Sequence, residues 1–175
     1  MLNAQERKKL DNMARSFRRT RSALYMYARQ CNWDYFITLT YSPDKIENRY
    51  DFSLCMKKVH KWIDNCKMRK AKDLLYLLVP EQHKDGAWHI HGLLCNTTGL
   101  KFTDSGKRYN GKIVYNLDDW KLGFSTATKV TDTYKVSNYI TKYITKDLCA
   151  VIPGRQRYFV SKSIPKPKTF TTLID

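Results

Sequence analysis

DLLYLLVPEQHKDGAWHIHGLLC, residues 73–95, sets the architecture of this chain. Asp73 to Gln82 and Trp88 to Cys95 are runs of apolar and β-favouring residues, and Lys84-Asp85-Gly86 between them is turn chemistry. The segment therefore reads as a β-hairpin. Side chains alternate between the faces of a strand, so His89 and His91 share one face. Turn length decides what meets them, because a one-residue slip sends every side chain to the other face. A two-residue Asp85-Gly86 turn would set Ile90 opposite Glu81 and point both histidines away. A three-residue Lys84-Asp85-Gly86 turn, with Gly86 in the left-handed conformation, sets Glu81 across from His89 with His91 on the diagonal. The three-residue form is the expectation.

Two imidazoles and one carboxylate on a rigid sheet suit a divalent ion that polarises a phosphate oxygen. A His-x-His pair alone is commonly an ordinary strand pair in a polar patch, so the added weight comes from Glu81 at matching register. His83 falls on the same face nearer the turn and reads as a rim residue or DNA contact. His60 lies in a helical stretch and takes no role.

Ser137 to Lys146 repeats Tyr-Ile-Thr-Lys, a spacing of four that stacks Tyr139 and Tyr143 on one helical face. Val136, Ile140 and Ile144 form the neighbouring apolar stripe, which would seat the helix on the sheet with the tyrosines, Lys142 and Lys146 on its flank. Without the histidines, the bland reading is an amphipathic helix with tyrosine packing and solvated lysines.

Three blocks together resemble the HUH endonucleases, specifically the rolling-circle replication initiator (Rep) proteins of bacteriophages and plasmids. Phe36-Ile37-Thr38-Leu39-Thr40-Tyr41 is similar to the first motif, EQHKDGAWHIHGLL at 81–94 to the metal motif, and Tyr139 to Lys146 to the tyrosine motif. The resemblance implies a nickase and strand transferase dependent on Mg²⁺ or Mn²⁺. Glu81, His89 and His91 would be its metal ligands, Tyr139 and Tyr143 its nucleophile candidates, and Lys142 and Lys146 the lysines that follow each. A 5′-phosphotyrosyl intermediate and a free 3′-hydroxyl for a polymerase follow from the same likeness.

The chemistry accords with those residue types, since a phenol with a pKa near ~10 attacks a phosphate poorly unless positive charge assists it. The net charge of +16, from 32 Lys plus Arg against 16 Asp plus Glu, favours a polyanionic partner such as single-stranded origin DNA. Twelve tyrosines among the aromatic residues offer stacking platforms for unpaired bases, although most aromatics in any domain are core. Cys31, Cys55, Cys66, Cys95 and Cys149 are odd in number and unpaired by motif, and read as free thiols in a reducing compartment. No apolar run suggests a membrane span or a signal peptide, so a soluble cytoplasmic protein is expected. Gly99 to Lys107 fails the spacing of a phosphate loop, so a separate helicase and a host polymerase are expected partners, unless the chain is a fragment of a larger initiator.

Along the chain, residues 1–32 read as a basic helical segment whose Leu10, Met13, Phe17 and Leu24 form a stripe and whose Arg18-Arg19-Thr20-Arg21 could grip phosphates. Residues 33–163 read as the endonuclease domain, and 164–175 as a basic tail. Within the domain the order is a strand at 35–41 with a threonine face, a helix at 51–68, the hairpin, an irregular polar insertion at 97–115 and a short helix around Leu117 to Lys121. A strand at 124–130, the tyrosine helix and a strand near 158–160 follow. That order predicts an α+β fold, a central antiparallel sheet with helices on one face in a ferredoxin-like or RRM-like sandwich, its site on the open face. Other readings are a relaxase or tyrosine transposase on the same fold, a non-catalytic single-strand-binding module, and a zinc hydrolase that leaves the tyrosines idle.

Overall fold

The computed structural model describes residues 3–145 and 156–167. The elements are α1 (Ala4–Ala28), β1 (Tyr35–Thr40), α2 (Phe52–Arg69), β2 (Leu75–Gln82), β3 (Trp88–Cys95), β4 (Phe102–Tyr109), β5 (Lys112–Leu117), β6 (Ser125–Lys129), α3 (Thr133–Ile140), a one-turn 3-10 helix (Thr141–Tyr143) and β7 (Phe159–Val160). The strands form one sheet of seven in the order β4-β5-β6-β1-β3-β2-β7, with every pair antiparallel. This is the α+β class that the element order predicts.

The sheet's two faces differ in chemistry, and the alternation in β1 shows why. Ile37 and Leu39 are buried on one face, together with Ile90 and Trp88 of β3. There α2 covers the sheet, with Phe52 edge-on to Trp88 at 4.9 Å and His60 edge-on to Phe159 at 4.8 Å. Phe36 and Thr38 point the other way, in line with His91 of β3 and with Thr126 and Thr128 of β6. That second face stays open except at one end, where α3 and the turn after it close over it.

Local chemistry starts each helix. Asn3 and Glu6 form a reciprocal capping box on α1. The carboxylates of Asp51 and Asp132 accept the Leu54 and Lys135 backbone N–H groups at 3.0 Å each, capping α2 and α3. The stripe expected on α1 is only partly used. Leu24 is fully buried, but Leu10 is 51% exposed, because the first half of the helix runs beyond the sheet. The second half packs on α3, and Arg21 donates to Thr141 Oγ1 at 3.4 Å. Trp33 Nε1 donates to Ala28 O at 2.7 Å and ties the end of α1 to β1.

Two expectations are corrected. Residues 97–115 are not irregular: they hold β4 and most of β5, a hairpin closed by Asn110 and Gly111 with φ of 48° and 75°. Two positive φ values in a two-residue turn give the twist that antiparallel strands favour, and Asn-Gly supplies them at low cost. The helix expected around Leu117 to Lys121 is also absent. Leu117 ends β5, and Asp119 instead accepts the Lys101 backbone N–H at 2.7 Å and pairs with Lys70. Such side-chain bonds compete with helical ones. Among the described residues, no helix is long and apolar enough to cross a membrane. Cys31, Cys55, Cys66 and Cys95 are free thiols.

Candidate active site

The β2–β3 turn adopts the three-residue form. His83 N donates to Ala87 O and Gly86 N to His83 O, both at 2.8 Å, with Gly86 at φ +88°. Glu81 is therefore paired with His89, and Val79 with His91, so the diagonal from Glu81 leads to His91. Along that diagonal His91 Nε2 lies 2.7 Å from Glu81 Oε2, while its Nδ1 lies 3.1 Å from Thr38 Oγ1 on β1. Thr38 holds the ring from behind.

His91 is only 6% exposed, and burial holds its pKa below the usual histidine value against the pull of Glu81. The imidazole is therefore neutral at neutral pH, and its single proton sits between Nε2 and the carboxylate while the Thr38 hydroxyl donates to Nδ1. The bond from His91 in turn holds the Glu81 carboxyl below its ordinary range, although burial opposes it. His89 shares the face, but its ring stacks on His83 with centroids 4.9 Å apart. Burial and the two neighbouring histidines lower its pKa.

Among the described residues, no three His, Cys, Asp or Glu side chains converge closely enough to form a closed metal cluster. The donor set still suits a divalent ion in kind and in face. Glu81 and His91 present an oxygen and a nitrogen at about the separation of neighbouring ligands on one ion, and His89 is paired with Glu81. For Nε2 to act as a ligand, the His91 proton must move to Nδ1 and be donated to Thr38, the outer-shell arrangement usual for ligating histidines.

The tyrosine segment meets this face directly. Its spacing predicts a helix through Lys146, but α3 ends at Ile140 and the chain tightens into the 3-10 turn that carries Tyr143. Such tightening is common at helix ends and keeps Tyr139 and Tyr143 adjacent. Ile140 and Ile144 are buried, as the apolar stripe requires. The ring of Tyr143, 8% exposed, stacks on His91 at 3.5 Å, and its hydroxyl donates to the Tyr139 hydroxyl at 3.3 Å. Tyr139 is 38% exposed, with Phe36 edge-on at 5.2 Å. Lys142 Nζ stands 3.6 Å from the centre of the Tyr139 ring and 4.9 Å from that of Tyr143. Lys146 lies outside the described residues.

The two phenols differ electrostatically as well. Burial pushes Tyr139 upward, but the Lys142 ammonium and the Tyr143 hydroxyl outweigh it and hold the phenol below its ordinary value. Tyr143 is raised by burial and by its neighbour Tyr139. Tyr139 is thus the more acidic and the more accessible of the pair.

From the tyrosines a cleft of about 790 Å³ runs over Thr38, Thr126 and Thr128 to the β4–β5 hairpin. Thr38 and Phe36 are legible in the sequence as part of a threonine-bearing open face, but their contacts with His91 and Tyr139 depend on neighbours distant in the chain. The hairpin wall of the cleft was missed, although Asn110-Gly111 was its signal.

A family model described as replication-associated protein, of the ORF2 type, matches residues 34–148, more than half of the chain. No curated protein and no solved structure gives a significant match.

Proposed function

The chain belongs to the replication-associated protein family of the ORF2 type, and from that premise we propose that it initiates replication by nicking and rejoining single-stranded origin DNA through a tyrosyl-phosphate link. The observation that carries the reading is the meeting of two phenols and an ammonium with the His91–Glu81 pair on the one sheet face that a strand can enter.

In the proposed reaction, Tyr139 in its phenolate form attacks the scissile phosphorus. The P–O3′ bond breaks, the 3′ oxygen leaves and takes up a proton, and the 5′ phosphate stays on the tyrosine. The phosphodiester's energy is conserved in the new ester, so reversal by a 3′-hydroxyl rejoins DNA without ATP. Lys142 favours the phenolate and offsets charge on the phosphate. Thr38 orients His91, and Tyr143 supports both His91 and the Tyr139 oxygen. Mg²⁺ or Mn²⁺ held by Glu81, His89 and His91 would draw charge from the non-bridging phosphate oxygens. Tyr143, one turn away, could attack the same phosphate in a second round, and Lys146 would stand to it as Lys142 stands to Tyr139. The released 3′-hydroxyl would serve a host polymerase, with unwinding by a separate helicase.

The test is incubation with end-labelled single-stranded origin DNA and Mg²⁺ or Mn²⁺, followed by denaturing electrophoresis. A denaturant-resistant protein–DNA adduct is expected, abolished by chelator. An adduct that persists when both tyrosines are phenylalanine would refute the assignment, and DNA binding without any adduct would favour a non-catalytic module.

A further inference from the structure

The β4–β5 hairpin takes no part in that chemistry, yet its conformation is held by several specific bonds. Asp104 pairs with Tyr115 and Lys107 with Val114, so Ser105 and Gly106 are extra residues in a bulge. Ser105 Oγ donates to Val114 O at 2.6 Å, and Gly106 N donates to Asp104 Oδ1 at 2.8 Å. The Arg108 guanidinium grips both Asp104 oxygens, at 3.0 and 3.1 Å. Bulges bend a strand and re-aim its side chains, and they are frequent beside functional sites.

Beyond the bulge, Lys107 and Tyr109 and their partners Val114 and Lys112 line the cleft. Phe124 lines it too, with Lys107 Nζ 5.9 Å from its ring centre. Phe124 is 55% and Tyr109 60% exposed, large aromatic surfaces in water beside a cluster of cations. Five Lys or Arg residues line the cleft against one acid, Asp132, which is already engaged by the N-terminus of α3. Exposed aromatic faces among cations suit a chain that carries both flat apolar rings and phosphates. A duplex hides its base faces in the stack, whereas a single strand offers them.

We infer that the β4–β5 hairpin and Phe124 form a nucleotide subsite for single-stranded DNA, where an unpaired base stacks on Phe124 while Lys107 and Lys112 hold the adjoining phosphates. The other end of the cleft is lined by Tyr139, so the subsite receives nucleotides flanking the scissile phosphate. The inference rests on the proposed DNA-nicking function for its ligand, but it makes a separate claim about where bases bind.

The test measures binding of the full chain to a fluorescein-labelled mixed-sequence single-stranded oligonucleotide by anisotropy, with chelator present to prevent cleavage and salt varied. Phe124→Ala should weaken binding about 5- to 150-fold with the salt slope unchanged, because stacking is lost and no ionic contact is. Phe124→Trp should restore it. The double substitution Lys107→Ala, Lys112→Ala should lower the salt slope by about 1.4, two phosphate contacts on a single strand. Phe124 makes its hydrogen bonds to Thr40 through backbone atoms, so the alanine variant retains them, and a thermal melt checks its fold. Wild-type affinity in a folded Phe124→Ala, or preference for a duplex of the same sequence, overturns the subsite. If the adduct forms in that case, the nicking function stands and only the subsite falls. If the wild-type chain neither binds single strands nor forms an adduct, both fall.

Discussion

The imidazole of His91 lies flat on the phenol ring of Tyr143, centroids 3.5 Å apart and planes 14° from parallel. Residues far apart in the chain thus share one surface, and the order of the tyrosine turn is coupled to the orientation of the histidine. Tyr143 OH then reaches Tyr139, so a hydrogen-bonded and stacked path joins Glu81, His91, Tyr143 and Tyr139.

The two tyrosines should respond differently to substitution. Tyr139→Phe removes the exposed phenol and is expected to lower first-turnover adduct formation by at least about 10²-fold, the scale set by losing a reacting group. Tyr143→Phe keeps the stack on His91 and should slow the reaction by only about tenfold, the loss of one hydrogen bond. Tyr143→Ala removes the stack and should cost more. Rates from quenched-flow gels decide the matter, and equal effects of the two phenylalanine variants would contradict the asymmetry.

Lys142 should set the pH dependence. Its ammonium helps to hold Tyr139 below the ordinary phenol value, and the phenolate is the attacking form, so activity should rise as pH climbs through that lowered pKa. Lys142→Met removes the positive charge and lets the pKa rise. The rising limb of the single-turnover rate should then move to higher pH, with much of the loss at neutral pH recovered under alkaline conditions, while Lys142→Arg should keep the wild-type limb. A uniform drop at every pH would show that Lys142 acts otherwise.

Removing a proposed metal ligand should separate cleavage from binding. His91→Ala and Glu81→Gln are expected to reduce adduct formation to the level seen with chelator. Affinity for single-stranded DNA at moderate salt should stay within about threefold of wild type, because it is spread over many phosphate contacts. Isothermal titration with Mn²⁺ gives an independent readout: each substitution should weaken metal binding, and unchanged Mn²⁺ affinity in both would exclude these residues as ligands.

Gly92 follows the second histidine for a packing reason. A Cβ there would lie 2.6 Å from Leu78 Cδ2, 3.1 Å from Leu77 O and 3.3 Å from Ile37 Cγ1. Gly92→Ala should therefore destabilise the fold by about 1–3 kcal/mol through overpacking, read as a lower midpoint in urea with an unchanged slope. Stability equal to wild type would argue against the pairing of Ile37 with Gly92.

The β2–β3 hairpin was readable before any coordinates because its information is local. Strand period, Gly86 and a three-residue turn together set which side chains face which, and Glu81 fell opposite His89 for that reason. The same local logic marked the capped start of α2 and the apolar stripe of the tyrosine segment. It also offered Asn110-Gly111 as a hairpin signal, which the polar composition of residues 97–115 masked.

What no local pattern could supply is which distant surfaces meet. The stack of His91 on Tyr143, the support of His91 by Thr38, the closing of α3 over one end of the open face and the cleft that continues to Phe124 all arise when strands from separate parts of the chain become neighbours. Spacing along a strand or helix reports direction relative to its own axis, whereas distances between elements are set by packing of the whole core. For that reason the chemistry-bearing residue types were visible in the chain, and their division into a buried His91–Glu81–Tyr143 group and an exposed Tyr139 beside Lys142 came only with the assembled sheet.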